Sequence, residues 1–120
     1  MRRLLTVCVF VIGVAPVAWA GEGDIGPVFI ENLSVIAIPT GGHLAGNMEI
    51  KIANGFSLPA GVTCDKNHIT TKKANDPDRA MLSLLLQAHN SRRPVKLRIT
   101  DNPAHAAFSG RCSLALVTLN

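Results

Sequence analysis

Two cysteines, Cys64 and Cys112, carry the most specific chemistry in the sequence. A third, Cys8, sits in an N-terminal apolar run that reads as a removable segment. In an exported chain the remaining even pair is expected to form a disulfide. A redox-active pair favours C-x-x-C spacing, which is absent. Closing so long a loop stabilises a small domain by roughly 4 kcal/mol in the chain-entropy model. The histidines are His43, His68, His89 and His105. None has the i, i+4 spacing of a local metal site, and there is no H-E-x-x-H, so neither metal nor cofactor is expected. His43 and His105 read as loop residues, and His68 as a structural residue beside a strand. His89 falls in a last helical turn, where the dipole favours a cation. Nucleophile-elbow and phosphate-loop motifs are missing. Asp65, Asp76, Asp78 and Asp101 each have a turn or capping role. A non-enzymatic chain is expected.

The basic residues suggest binding rather than catalysis. Lys72 and Lys73 precede a helix, Arg92 and Arg93 follow it, and Lys96 and Arg98 share one strand face. Gathered together, they would meet an anionic partner such as an acidic glycan, a lipid head group or an acidic protein. Read separately, they are a solvated strand face and two helix ends. A nucleic-acid surface would add stacking aromatics. Beyond the N-terminal run the rings are Phe29, Phe56 and Phe108 alone, so no nucleic-acid partner is expected.

These residues belong to a chain of 120 residues, enough for one domain. Arg2 and Arg3, then apolar Leu4 to Val17, then Ala18-Trp19-Ala20 follow the order of a cleavable export signal. Residues 1–20 are therefore read as a signal peptide and 21–120 as the mature domain, periplasmic or secreted. Losing Arg2 and Arg3 leaves ten basic and eight acidic residues, a net charge of +2. No other apolar run is long enough to cross a bilayer, so stable membrane insertion is not expected.

Gly21 to Pro27 reads as a mobile terminus. Val28 to Ile38 reads as one long strand with a bulge at Glu31-Asn32. Met48 to Ile52 and Val95 to Ile99 alternate as half-buried strands, and Cys64 to Thr71 is a weaker one. Arg111 to Leu119 is nearly all apolar and is expected to be covered on both faces. Asp76 as N-cap, Pro77 at the first helical position and Asn90 as C-cap bound a helix. Met81, Leu84, Leu85 and Ala88, widened by Leu82 and Leu86, imply that it is well buried. Three strands, a helix and two strands is the element order of the OB-fold. The expectation is an α+β, mainly β domain: an OB-like five-stranded antiparallel barrel with the helix between the third and fourth strands.

From Cys64 to Leu119 the pattern resembles small exported proteobacterial proteins of the subtilase-cytotoxin and typhoid-toxin B-subunit type. It consists of a cysteine, a strand with Ile69-Thr70-Thr71, an Asp-started helix ending in Leu84-Leu85-Leu86-Gln87-Ala88, the strand Arg93-Pro94-Val95-Lys96-Leu97-Arg98-Ile99, and Gly110-Arg111-Cys112-Ser113-Leu114. The resemblance implies an OB-like subunit that forms a pentameric ring and binds glycans, often sialylated. Only the pair Cys64 and Cys112 carries over residue by residue. The other function this chain type would serve is a periplasmic protein-interaction role, as an inhibitor or immunity-type protein. Mass spectrometry of the exported protein is expected to give a chain starting at Gly21, lighter by the hydrogens lost in one disulfide. Two alkylatable thiols in that chain would disprove the pairing.

Overall fold

The computed structural model describes residues 20–119, so the expected signal peptide lies outside the described residues apart from Ala20. Six strands and one helix follow in the order β1 (Glu22–Val28), β2 (Ile30–Val35), β3 (Met48–Ile52), β4 (His68–Thr71), α1 (Ala80–Ser91), β5 (Val95–Thr100) and β6 (Cys112–Leu119). The domain is α+β and mainly β. Its strands form one mixed sheet in the order β1-β5-β6-β4-β3-β2.

Alternation decides which side chains enter the core. Met48, Ile50 and Ile52 are almost wholly buried, while Glu49 and Lys51 fall on the other face of β3. Val95, Leu97 and Ile99 do the same on β5. Successive residues of a strand point to opposite faces, so a strict apolar–polar repeat leaves one register that buries the apolar set. Ile25, Ile30, Ile69, Cys112 and Leu114 complete the strand side of the core, and α1 covers it with Leu85 and Ala88.

Several expectations need correction. Gly21 to Pro27 is not a loose terminus: Glu22 to Ile25 pair in register with Thr100 to Leu97. Glu22 and Asp24 turn outward to Arg98, at 2.6 and 3.3 Å, and Ile25 turns inward. Gly23, Gly26 and Pro27 hide this strand from propensity. The long first strand is therefore β1 and β2, parted at Phe29 and ending at Val35. The bulge expected at Glu31-Asn32 is present, where the β2–β3 register slips between Ile30 and Asn32. β1 and β2 occupy opposite ends of the sheet order, although Phe29 alone separates them in the chain.

In place of five antiparallel strands there are six, and β4 and β6 are parallel. The chain between them passes through α1 and β5, and a crossover of this length is what parallel pairing requires. Ile69 faces Cys112 and Thr70 faces Ser113. The strand expected from Cys64 begins only at His68, because Asp65 makes a turn: its Oδ1 accepts the amides of Asn67 (2.6 Å) and His68 (3.1 Å). β6 is buried at Cys112 to Leu114 but exposed at Ala115 and Leu116, beyond its registered pairing with β4.

The helix begins later than expected. Asp76 and Pro77 form a turn, Arg79 adopts φ 58°, and α1 starts at Ala80. Asp76 still caps it, since Oδ1 and Oδ2 accept the amides of Met81 (3.0 Å) and Leu82 (3.1 Å). These donors have no partner within the helix, so a buried carboxylate supplies one. At the other end Asn90 is helical, and Arg92 at φ 53° makes the reversal. Arg92 N–H donates to the carbonyls of Ala88 and His89, and Arg93 N–H to Ala88, in a Schellman-type closure. Only Leu85 and Ala88 are fully buried; Leu86, about 100° further round the helix, is exposed.

Cys64 and Cys112 form a disulfide with Cα atoms 5.5 Å apart. It joins the turn before β4 to the first residue of β6. Cys64→Ala is expected to cost roughly 4 kcal/mol, a fall in melting temperature on the order of 20 °C. An unchanged melt of the variant against the oxidised parent would refute the loop-closure account. Asp76→Ala is expected to cost about 1–2 kcal/mol by stripping the cap from Met81 and Leu82. Denaturant unfolding would measure it, and a change near zero would mean that solvent satisfies those amides instead.

Candidate functional site

The strand break at Phe29 and the end of α1 together form a surface depression of about 640 Å³. Phe29 lies on its wall, half exposed, because the neighbouring Ile30 takes the inward position. His89, Asn90, Arg92 and Arg93 line the rest. The Schellman-type bonds satisfy the last carbonyls, so the helix end presents side chains more than bare acceptors. His89 Nδ1 lies 3.1 Å from the Ile30 carbonyl oxygen, which ties the helix end to β2. Arg92 and Arg93 are exposed. The helix dipole favours cations at this end, and among the described residues no carboxylate side chain lines the depression. An apolar ring, an amide and the Arg92 guanidinium suit a ligand that has one apolar face and one anionic group.

The predicted basic patch is spread over the molecule. Arg92 and Arg93 meet at this depression. Lys72 and Lys73 lie at the opposite end of α1, a helix of 12 residues and hence about 18 Å long. Lys72 Nζ donates to the Ala104 carbonyl at 3.1 Å, and Lys73 N–H donates to Asn47 Oδ1 at 3.1 Å. Lys96 is exposed on β5. Arg98, on the same strand, is held by Glu22 and Asp24. The hydrogen bond it donates to Glu22 first, then the Asp24 charge, raise its pKa further above the usual guanidinium range.

A second cluster forms where the loop between β2 and β3 meets the loop before β6. The His43 ring packs on Phe108 with centroids 4.4 Å apart, and the Arg111 guanidinium lies 4.3 Å from the centre of the same ring. Glu49 receives Arg111 Nη1 and lies 3.6 Å from His43 Nε2. Its charges are matched internally, so it acts as a brace between the loops. That brace carries an exposed tip: Ile38 and Leu44 are 75% and 62% exposed. Glu49 lies about sixty residues from Phe108 and Arg111 and meets them through the β3–β4–β6 neighbourhood, so local spacing offers no signal for the cluster. Phe29 falls inside the run Val28 to Ile38 that reads as one strand, and only the break between β1 and β2 singles it out.

A further depression of about 490 Å³ lies at the start of α1, with Asp78, Met81, Thr100 and His105 on its walls. Asp76 also borders it, but its carboxylate is committed to the helix cap. His68 Nδ1 stands 3.6 Å from Asp65 Oδ1. The amide of Asn67, chiefly, holds the Asp65 carboxyl below its usual range, with the His68 amide and ring adding to it. That carboxylate serves its turn. Among the described residues no three His, Cys, Asp or Glu side chains converge as a metal site, and no helix is long and apolar enough to cross a membrane. Comparison with protein-family models, with curated proteins and with solved structures finds no match to this chain.

Proposed function

We propose that the chain is an exported, non-enzymatic binding module of toxin B-subunit type, which holds the anionic end of a glycan or receptor in the Phe29 depression. The observation that carries this reading is the half-exposed Phe29 ring beside Arg92 and Arg93. A sugar acid has the matching halves: C–H groups for the ring and a carboxylate for a guanidinium. The scaffold is read as an OB-like barrel in which β1 and β2 are two halves of one bent first strand. Support comes from their positions at opposite ends of the sheet order with a one-residue link, and from the helix between β4 and β5. In such a barrel the loops and one strand face serve recognition, and assembly into a homo-oligomer, a pentamer in the toxin-like case, multiplies weak single-site affinity.

Binding to arrayed glycans, with gel filtration of the same sample, tests the reading. Glycans ending in a carboxylated sugar are expected to bind, and Phe29→Ala and Arg92→Gln to weaken binding by about tenfold each. Binding unchanged in both variants would move the site elsewhere. A tight one-to-one complex with a periplasmic protein, with no glycan retained, would overturn the reading in favour of the inhibitor or immunity role.

A further inference from the structure

The first mature residue is held more closely than a chain terminus needs to be. Gly21 N–H donates to Asp101 Oδ1 at 2.6 Å. The Gly21 carbonyl accepts Thr100 Oγ1–H at 3.0 Å and the Asp101 amide at 3.1 Å. The other carboxylate oxygen, Asp101 Oδ2, accepts the Thr63 amide at 2.8 Å. Backbone closes over the remaining side: a β-carbon at position 21 would fall 2.0 Å from the Gly61 carbonyl oxygen and 3.0 Å from Val62 N. Glycine is the only residue that fits there.

We infer that Asp101, with Thr63, Thr100 and the Gly61–Val62 backbone, is a built-in binding site for an α-ammonium group, and that its ligand is the amino terminus created when the signal peptide is removed. The inference rests on the proposed cleavage after Ala20. In that step a signal peptidase adds water across the Ala20–Gly21 bond. The hydroxyl goes to the Ala20 carboxyl group, and the Gly21 nitrogen leaves as an amine that takes up a proton. The amide donor already aimed at Asp101 becomes an ammonium. A hydrogen bond from a neutral amide to a carboxylate becomes a hydrogen-bonded ion pair, with no movement of the chain. The other charged groups on this end, Glu22 and Asp24, are turned to Arg98 and do not compete. Cleavage and final stability are thereby coupled: the processed chain locks β1 against β5, and the precursor lacks that lock.

Two oxidised chains, one beginning at Gly21 and one at Ala20, separate this from ordinary strand pairing. The folded-to-unfolded ratio of the Gly21 chain is expected to be roughly tenfold higher at neutral pH. In an Asp101→Asn background the two chains are expected to agree within about twofold. Equal stability of the parent pair, or a gap that survives Asp101→Asn, would overturn the inference. Nuclear magnetic resonance titration of the Gly21 α-protons gives a second readout in the unmutated protein. The amine is expected to titrate above the usual α-amino range of about 7.7–8.0, and a normal titration would also overturn it. Amino-terminal sequencing of the exported protein tests the cleavage separately, and a start at any residue other than Gly21 would remove the ligand from the site.

Discussion

The whole sheet turns on the seam between β4 and β6. On one side of it lie β4, β3 and β2, on the other β6, β5 and β1, and within each trio every pairing is antiparallel. The two trios are registered against each other only through Ile69 with Cys112 and Thr70 with Ser113. So short a parallel junction is weak by itself. The Cys64–Cys112 bond sits beside it, and the Asp65 amide donates to the Gly110 carbonyl at 2.9 Å. Further links across the halves include the Phe29 connection, the Glu49–Arg111 ion pair and the packing of Leu85 and Ala88 on the common core. A crosslink at the weakest registered junction is where loop-closure entropy has most effect on a domain of this size.

The same seam organises the surface. It brings the loop before β6 against the loop between β2 and β3, so that Phe108 receives His43 and Arg111 and the charge of Glu49 is matched at short range. On the opposite flank, the one-residue link between β1 and β2 turns Ile30 inward and leaves the Phe29 ring half exposed beside the end of α1. One surface has its charges matched internally. The other sets a half-exposed ring beside the arginines that end the helix. The His89 contact with the Ile30 carbonyl fixes the helix end that carries them, and a site held in place in advance loses less on binding.

How much of this could be read beforehand depends on the range of the forces involved. Strands β3 and β5 were legible because strict alternation leaves a single register that buries the apolar set. The helix was legible in place but not in its ends. Asp76 reaches its amides from several residues away, across a turn made by Pro77 and a left-handed Arg79, and sequence rules for caps assume adjacency. β1 was missed because Gly23 and Gly26 dilute it. Its pairing partner, β5, lies about seventy residues away, and Arg98 is what gives Glu22 and Asp24 a reason to stand in a strand.

By itself the sequence determined the cysteine pairing, the class of the domain, the two alternating strands and the helix. These follow from periodicity, from parity and from one chain's limited means of burying apolar surface. Only the tertiary structure decided which basic residues share a surface, that Arg98 is committed to Glu22 and Asp24, and that Phe29 faces outward beside Arg92. It also decided that Gly21 lies under Asp101. The physical reason is the same in each case. Charges and rings act over a few ångströms in space, and the contacts that matter join residues that the chain separates by tens of positions. Local pattern encodes which face a residue takes, but not what stands opposite it.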